Sequence, residues 1–574
     1  MPRCRTTFVA VLLTGALARS TLAAPCGGDL DPGFGSGGIA RISNPYAIAG
    51  GVGQPDGKLL AIGFGDAGFR LFRVSAAGPA DATFGQGGVV ETSFTLPPPV
   101  YPVDSRFVQG KGLALQPDGL LVAVGSAGWG VPGLHSFGFD ALEYALARYN
   151  ADGSLDATFG DQGTIEIAFT DTIANAAAVL VQPDGKIVVA GTLRARQSTG
   201  QLSPADFGVV RLDSDGSPDV SFGTAGRVTT DFGSDDQAFT MLLQPDGKIV
   251  VGGASGFDFA LVRYGPDGTP DPTFGDGGRV VTQVGGGGEG AAAIATQPDG
   301  KLVVVGYARP PYPPGTGGPN FALVRYDADG HLDPGFGSAG IVTSDFVGKA
   351  SAVVVQPDGR LVVGGQVAVP PFAADFTLVR YTPDGRLDAS FGFGGLAVTG
   401  FFADHNDSNC AFRYFRDSCG GDLRSLGLQP DGRVVAIGWN FRLTAEGGQI
   451  VEIDFGRYET ADCAPPRSAV RQVLGDLRGV IGAVGLSGFA SAGAVVVPMS
   501  SGFRGRMRLR MIAAAIVIGR GHVRRLSAGP ATLRVTLTRR GKRLLRRMHL
   551  ASIVVEVTFR TGAGVTTDRM ELKL

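Results

Sequence analysis

The sequence predicts an all-β protein: a seven-bladed β-propeller of four-stranded antiparallel blades, followed by a small basic C-terminal β domain. Three observations predict it. The tetrapeptide Gln-Pro-Asp-Gly recurs seven times, at Gln54–Gly57, Gln116–Gly119, Gln182–Gly185, Gln244–Gly247, Gln297–Gly300, Gln356–Gly359 and Gln429–Gly432. Successive copies lie 62, 66, 62, 53, 59 and 73 residues apart, and a period of this size marks a repeat architecture. The 91 Gly and 35 Pro punctuate apolar runs instead of replacing them, which reads as many short strands and turns.

Each period carries four such runs. In the fourth they are Gly226–Phe232, Ala238–Leu243, Lys248–Gly253 and Phe259–Tyr264, and the next period begins at Pro266–Gly275. Taken together they read as a four-stranded antiparallel meander. Within Gln-Pro-Asp-Gly, Pro presets φ at the second turn position, Asp tolerates the third, and Gly takes a positive φ into the next strand. A four-stranded sheet with two apolar faces buries both only between neighbours, and seven such sheets close a ring.

The phase of the repeat shows where the ring closes. The chain enters on Leu30-Asp-Pro-Gly-Phe-Gly35, an element that elsewhere follows Arg-Tyr. The last Arg-Tyr, at Arg457-Tyr458, has no such element after it. The N-terminal piece is therefore expected to complete the last repeat. Cys26 precedes the first element and Cys463 follows the last, so a Cys26–Cys463 disulfide is expected to staple the ring. Cys410–Cys419 would then close a small loop within one insertion.

Units of the form Leu-Asp-x-x-Phe-Gly…Gln-Pro-Asp-Gly-Lys…Leu-Val-Arg-Tyr resemble the delta-60 repeat family of bacterial β-propeller proteins, over about residues 27–460. The resemblance implies a propeller fold in an exported bacterial protein, and no reaction.

The ends bound the context. Arg3 and Arg5, the apolar run Phe8–Leu17 and the small-residue site at Thr21–Ala23 read as a secretory signal over residues 1–24. Export would leave Cys26, Cys410, Cys419 and Cys463, an even number suited to disulfides. The absence of any Cys-x-x-Cys pair argues against zinc. The propeller is expected over 25–463. From Ala464 onward there are 18 Arg and 2 Lys against 2 Asp and 2 Glu, a balance of +16. The whole chain is −1, so residues 1–463 carry −17 and the two parts differ in sign. The basic domain, 464–574, is expected to be β-rich and resembles, loosely, the small β-sandwich modules of exported proteins. A competing reading makes the uncharged stretch Gly479–Phe503 a membrane anchor.

Two residues recur in every unit. They are the Arg of the Arg-Tyr strand (Arg73, Arg148, Arg211, Arg263, Arg325, Arg380, Arg457) and the Asp before Phe-Gly (Asp31, Asp81, Asp156, Asp219, Asp271, Asp333, Asp388). An Arg in an apolar strand needs a partner, so seven structural Arg–Asp pairs are expected. Asp213–Asp219 and Asp327–Asp333 resemble the start of a calcium loop, but they lack its downstream Glu, and Gly265 and Thr382 replace the first Asp in other copies. Plain turns and no cofactor are expected.

Variation points to the other rim. Insertions occur at Ser126–Glu143, Thr192–Ala205, Tyr307–Pro319, Gln366–Ala374, Asn440–Glu452, Ser93–Gly110 and Phe401–Arg424. By strand parity all of them lie opposite the Gln-Pro-Asp-Gly turns. That decorated rim carries or borders Trp129, His135, Tyr307, Tyr312, Phe372 and Trp439, aromatic and polar residues suited to carbohydrate, cell-wall polymer or protein ligands. No catalytic motif stands out among the five His, and Asp404-His405-Asn406-Asp407 reads as an exposed loop. The expected function is an exported, monomeric binding or adhesion scaffold, secreted or at the cell surface, with no nucleic-acid partner. The alternative is an extracellular propeller enzyme: a glycan lyase, a hydrolase or a quinoprotein-like oxidoreductase.

Overall fold

The computed structural model describes residues 27–44, 46–65, 68–95, 105–130, 139–197, 201–288, 290–309, 318–367, 375–388, 390–392, 395–399, 422–443, 449–460, 494–501, 505–513, 516–526, 529–537, 552–561 and 564–573. Among them every regular element is a β-strand.

The turns act as their residues dictate. At the fourth copy, Gly247 N–H donates to Gln244 O and Gln244 N–H to Lys248 O, both at 2.9 Å. Gly247 enters the next strand at φ +84°, a conformation that side-chain-bearing residues rarely adopt. The Gly of each other copy also has φ between +81° and +89°.

The first unit of the chain, Cys26–Ala464, holds strands β1 to β27. A first meander comprises β2 (Ile48–Gly53), β3 (Leu59–Phe64), β4 (Gly68–Val74) and β5 (Val89–Ser93). A second comprises β6 (Ser105–Leu115), β7 (Leu121–Gly130), β8 (Phe139–Tyr149) and β9 (Thr164–Ile167). Next come β10 (Thr172–Val181), β11 (Ile187–Ala195), β12 (Asp206–Leu212) and β13 (Arg227–Thr230), then β14 (Asp236–Leu243), β15 (Ile249–Ser255), β16 (Asp258–Tyr264) and β17 (Arg279–Thr282). The series continues with β18 (Gly290–Thr296), β19 (Leu302–Ala308), β20 (Asn320–Tyr326) and β21 (Ile341–Val355), followed by β22 (Leu361–Val367), β23 (Asp375–Tyr381) and β24 (Leu396–Thr399). The 15-residue β21 serves two meanders: its first half pairs with β20 and its second with β22. The last sheet orders β1 (Ile39–Asn44), β27 (Gln449–Tyr458), β26 (Val434–Leu443) and β25 (Asp422–Leu428) side by side, so the N-terminal strand completes the C-terminal meander.

The first strands β2, β6, β10, β14, β18, β21 and β25 neighbour one another in that order, and β25 neighbours β2. They therefore surround the axis of a closed ring. Apolar faces meet between sheets: Val188, Ala190 and Val209 of one pack against Ile249, Val251 and Val262 of the next. At the closure Leu59, Ala61 and Phe72 meet Val435, Ile437 and Ile453 in the same way. Each such fully buried Val, Leu or Ile contributes about 1.5–3 kcal/mol.

The strand phase differs from the sequence reading by one. Arg227–Thr230, expected to share a sheet with Ala238–Leu243, pairs instead with β12 as the outer strand of the preceding sheet. The 14-residue connection 213–226 folds it back antiparallel on β12, whereas the five-residue link 231–235 crosses to β14 in the next sheet. Each Gln-Pro-Asp-Gly therefore joins the two innermost strands of a sheet. The parity of the rims is unchanged.

The second unit includes Pro465–Arg560 and Gly564–Leu574. Its strands are β28 (Ala494–Ser501), β29 (Gly505–Ala513), β30 (Ile516–Leu526), β31 (Gly529–Leu537), β32 (Ser552–Thr561) and β33 (Gly564–Lys573). Among the described residues they form one six-stranded sheet, β28-β31-β30-β29-β32-β33. Ala494–Ser501, inside the stretch read as a possible anchor, is a strand paired with β31. Among the described residues no helix is long and apolar enough to cross a membrane.

Candidate functional site

The repeated charges meet at the plain rim. Each repeated Arg lies 2.6–2.9 Å from its Asp: Arg73–Asp81, Arg148–Asp156, Arg211–Asp219, Arg263–Asp271, Arg325–Asp333, Arg380–Asp388 and, across the closure, Arg457–Asp31. The same guanidinium donates to a turn carbonyl of the following repeat, as Arg73 Nη1 does to Ala151 O and Arg211 Nη1 to Pro266 O, both at 2.5 Å. It also stacks 4.3–4.9 Å from the Phe-Gly phenylalanine of its own unit. Each Arg is thus a rivet between neighbouring sheets, with its charge paired. The backbone repeats the link: Gly85 N–H donates to Asp152 O, Gly223 to Asp267 O, and at the seam Gly392 to Gly27 O.

The carboxylates of Asp31, Asp81, Asp156, Asp219, Asp271 and Asp333 are held ionised. Burial works to raise the pKa of Asp81, but hydrogen bonds from Thr83, the Lys58 ammonium and the Arg73 charge outweigh it and bring it down to about 2. The Asp-Gly turn acids are engaged locally as well. Asp215 accepts from the Ser217 N–H and hydroxyl at 2.9 and 2.7 Å, and Asp213 binds Lys186 Nζ at 2.5 Å.

The axis presents different chemistry. In each first strand the ladder slips by one residue, leaving Ala49, Lys111, Ala177, Phe239, Ala292, Ser351 and Arg424 as the extra residue of a β-bulge. Opposite each bulge stands a glycine, because a Cβ on Gly125 or Gly253 would lie 1.8 Å from the first-strand carbonyl oxygen. Of the seven bulge residues only Lys111 and Arg424 are charged. They flank the strand carrying Ala49, since β2 lies between β25 and β6. Burial pushes the Lys111 ammonium down to about 8, and the like charge of Arg424 adds to this. Arg424 forms an ion pair with Asp422. The Lys111 Nζ lies 5.8 Å from the Phe64 ring centroid.

The predicted aromatic residues divide. Trp129, Tyr307 and Trp439, expected on or beside loops, lie in strands. Trp129 stands opposite Arg106 and Ala141, Tyr307 opposite Gly290 and Phe321, and Trp439 opposite Asp422 and Ile453. The reason is that β7, β8, β26 and β27 run on into the insertions as paired hairpins, satisfying backbone groups that a loop would leave to water. Lys349 Nζ sits 4.8 Å from the Tyr307 ring centroid. His135, Tyr312 and Phe372 lie outside the described residues, as do Cys26, Cys410, Cys419, Cys463 and the Asp404–Asp407 cluster.

Two acidic groupings escaped the sequence reading. Asp206, Asp231 and Asp236 bring one carboxylate oxygen each to within 4.8 Å of one another, where β12 begins and the β13–β14 link passes. Burial raises the pKa of Asp206 and Asp236, and their neighbouring acids raise it further. In the closing sheet, fully buried Asp454 accepts from Arg41 Nε at 2.9 Å and from Asn440, beside Glu452. Burial pushes Asp454 up to about 7 against the pull of Arg41. Among the described residues neither grouping repeats around the ring, so the period could not reveal it.

A family model described as a domain of unknown function (DUF5122) beta-propeller matches residues 138–159, 182–222, 244–274, 297–336 and 356–391. These segments are thus similar to the repeats of a β-propeller family. No curated protein matches it. Among solved structures it is similar to a protein of unknown function from Dyadobacter fermentans (10% identity, TM-score 0.31, 74% of this chain and 100% of that one). It is also similar to the NanB sialidase of Streptococcus pneumoniae (10%, 0.34, 73% and 68%). A third similar structure is a PL25 ulvan lyase bound to a glucuronate–sulfated rhamnose unit (10%, 0.38, 73% and 96%).

Proposed function

We propose that this chain is an exported, non-enzymatic propeller of seven four-stranded blades, of the delta-60 repeat type, that binds carbohydrate or cell-wall polymer at its decorated rim. Residues 1–24 direct export, 25–463 form the ring, and the basic 464–574 region holds the protein near an acidic surface. One observation carries the reading. The residues repeated in all units are engaged in sheet-to-sheet junctions at the plain rim, as at Arg211. The residues that occur once lie on strands that run into the insertions (Trp129, Trp439) or in first-strand bulges (Lys111, Arg424). No metal or cofactor enters the proposal.

The test is a glycan and cell-wall binding screen of the intact protein against a Trp129→Ala, Trp439→Ala variant, with thermal melts to verify folding. Binding that is lost in a folded variant supports the reading, and unchanged binding refutes the aromatic role. A second reading, an extracellular enzyme acting on glycans, draws on the Asp206–Asp231–Asp236 grouping. Turnover of a glycan by the intact protein, abolished in Asp236→Asn, would favour it.

A further inference from the structure

Lys111 combines three properties that a purely structural lysine lacks. It is the extra residue of a bulge beside the axis, so no fold requirement places a charge there, and Ala49, Ala177 and Ala292 fill the same position elsewhere. Its side chain is half-buried, and among the described residues the ammonium has no hydrogen bond or ion pair and lies 5.8 Å from the Phe64 ring centroid. The like charge of Arg424, on the strand beyond that of Ala49, acts on it.

Withdrawing an ammonium from water beside another cation is unfavourable unless an anion completes the site. The single carboxylate described there, Asp422, already pairs with Arg424. Between the strands of the two cations the bulge position is filled by Ala49, whose side chain is a single methyl group. Trp439, opposite Asp422 in the ladder, packs against the core between the closing sheets, and the aromatic ring beside Lys111 is that of Phe64. Cations beside an aromatic ring suit a sugar bearing a carboxylate or sulfate, with the ring stacked and the anion paired.

We infer that Lys111 and Arg424 form a binding site for the acid group of an anionic polysaccharide, a uronate or sulfated sugar, over Ala49 at the decorated end of the axis. This rests on the glycan-binding reading above and names its ligand class.

The experiment uses the full chain in calorimetric titrations at low salt with oligouronate and, separately, with neutral dextran oligomers. Lys111→Gln and Arg424→Gln variants are compared after thermal melts confirm folding. The expected result is at least ten-fold weaker oligouronate binding in each variant, with affinity falling steeply as salt is added. Oligouronate binding that is unchanged in both variants but lost on Trp129→Ala, Trp439→Ala overturns the Lys111–Arg424 site and leaves the glycan reading standing. Failure of the wild type to bind either oligomer overturns both. Binding of a short duplex DNA as tightly as oligouronate, lost in the same variants, overturns the assignment to a sugar.

Discussion

Arg457 and Asp31, 426 positions apart in the chain, form one ion pair: Arg457 Nη2 lies 2.6 Å from Asp31 Oδ2. Six other pairs do the same work within single repeats, eight residues apart, as Arg73 and Asp81 do. The closure is therefore made with the same parts as every other junction, and only the sequence separation differs.

Arg457→Met should loosen that closure selectively. The change removes the Asp31 pair, the contact with the Phe34 ring and the hydrogen bond to Ala76 O. Breaking one partner of a buried pair costs about 3–5 kcal/mol. Arg433 Nε, 3.4 Å from Asp31 Oδ2, offsets part of the loss. The expected signature is faster hydrogen exchange across Ile39–Asn44 than in the internal sheets. Uniform exchange throughout the ring would contradict a seam held by this pair.

The plain rim sets the acid limit of the fold. Asp81 is depressed to about 2, and Asp31, Asp156, Asp219, Asp271 and Asp333 are lowered too, in each case because hydrogen bonds and neighbouring cations outweigh burial. A depressed acid contributes stability that is complete above its unfolded pKa, near 4, and is lost as pH falls through the folded value. Stability measured by denaturant titration should hold at pH 5 and fall steeply between pH 4 and 2. A flat profile there would show that these pairs do not report on folding.

Asp454 should act with the opposite sign. Its folded value, about 7, lies above the ordinary 3.8. Between those values the unfolded chain is ionised and the folded chain is protonated, so stability from this group declines as pH rises and the penalty is complete above about 7. The shift sets a ceiling of about 4 kcal/mol. Asp454→Asn, which keeps most of the shape, should gain stability over the wild type as pH goes from 5 to 8. Parallel pH profiles for the two proteins would rule this out. The groups facing Asp454 are Arg41, Asn440 and Glu452, so Arg41→Gln should steepen the wild-type decline.

What was legible in the sequence is what repeats. Gln-Pro-Asp-Gly marked the hairpins because Pro and Gly constrain φ locally, and the orphaned Arg-Tyr at Tyr458 marked the closing sheet because phase survives variation in loop length. The strand phase was not legible. Arg227–Thr230 has the alternation of any half-buried strand, and only the ladder shows that it belongs with β12. The bulges were missed although their sign is printed in every unit: the glycines at positions such as 125, 191 and 253 are there because a first-strand carbonyl crowds them. Asp454 and Lys111 were missed for another reason. Each occurs once, and its significance comes from neighbours on other strands.

One repeat lacks a cation that the others have, and restoring it tests how the junctions are tuned. Lys58, Lys186, Lys248 and Lys301 follow their turns and bring Nζ to within 2.9–3.3 Å of Asp81, Asp219, Asp271 and Asp333. Arg360 and Arg433 stand 3.5 and 3.4 Å from Asp388 and Asp31. The second repeat has Leu120 at this position, so Asp156 is paired with Arg148 alone among these cations. Leu120→Lys should place an ammonium beside Asp156. The lysines at this position are about a third exposed, so the gain is that of a partly screened pair, up to about 1 kcal/mol less whatever the Leu side chain loses. A denaturation midpoint that rises at low salt and returns to the wild-type value in 0.5 M salt, roughly where screening shortens to a few ångströms, is the expected result. A gain that survives salt would mean that strand propensity or packing at position 120, and not charge, distinguishes this repeat.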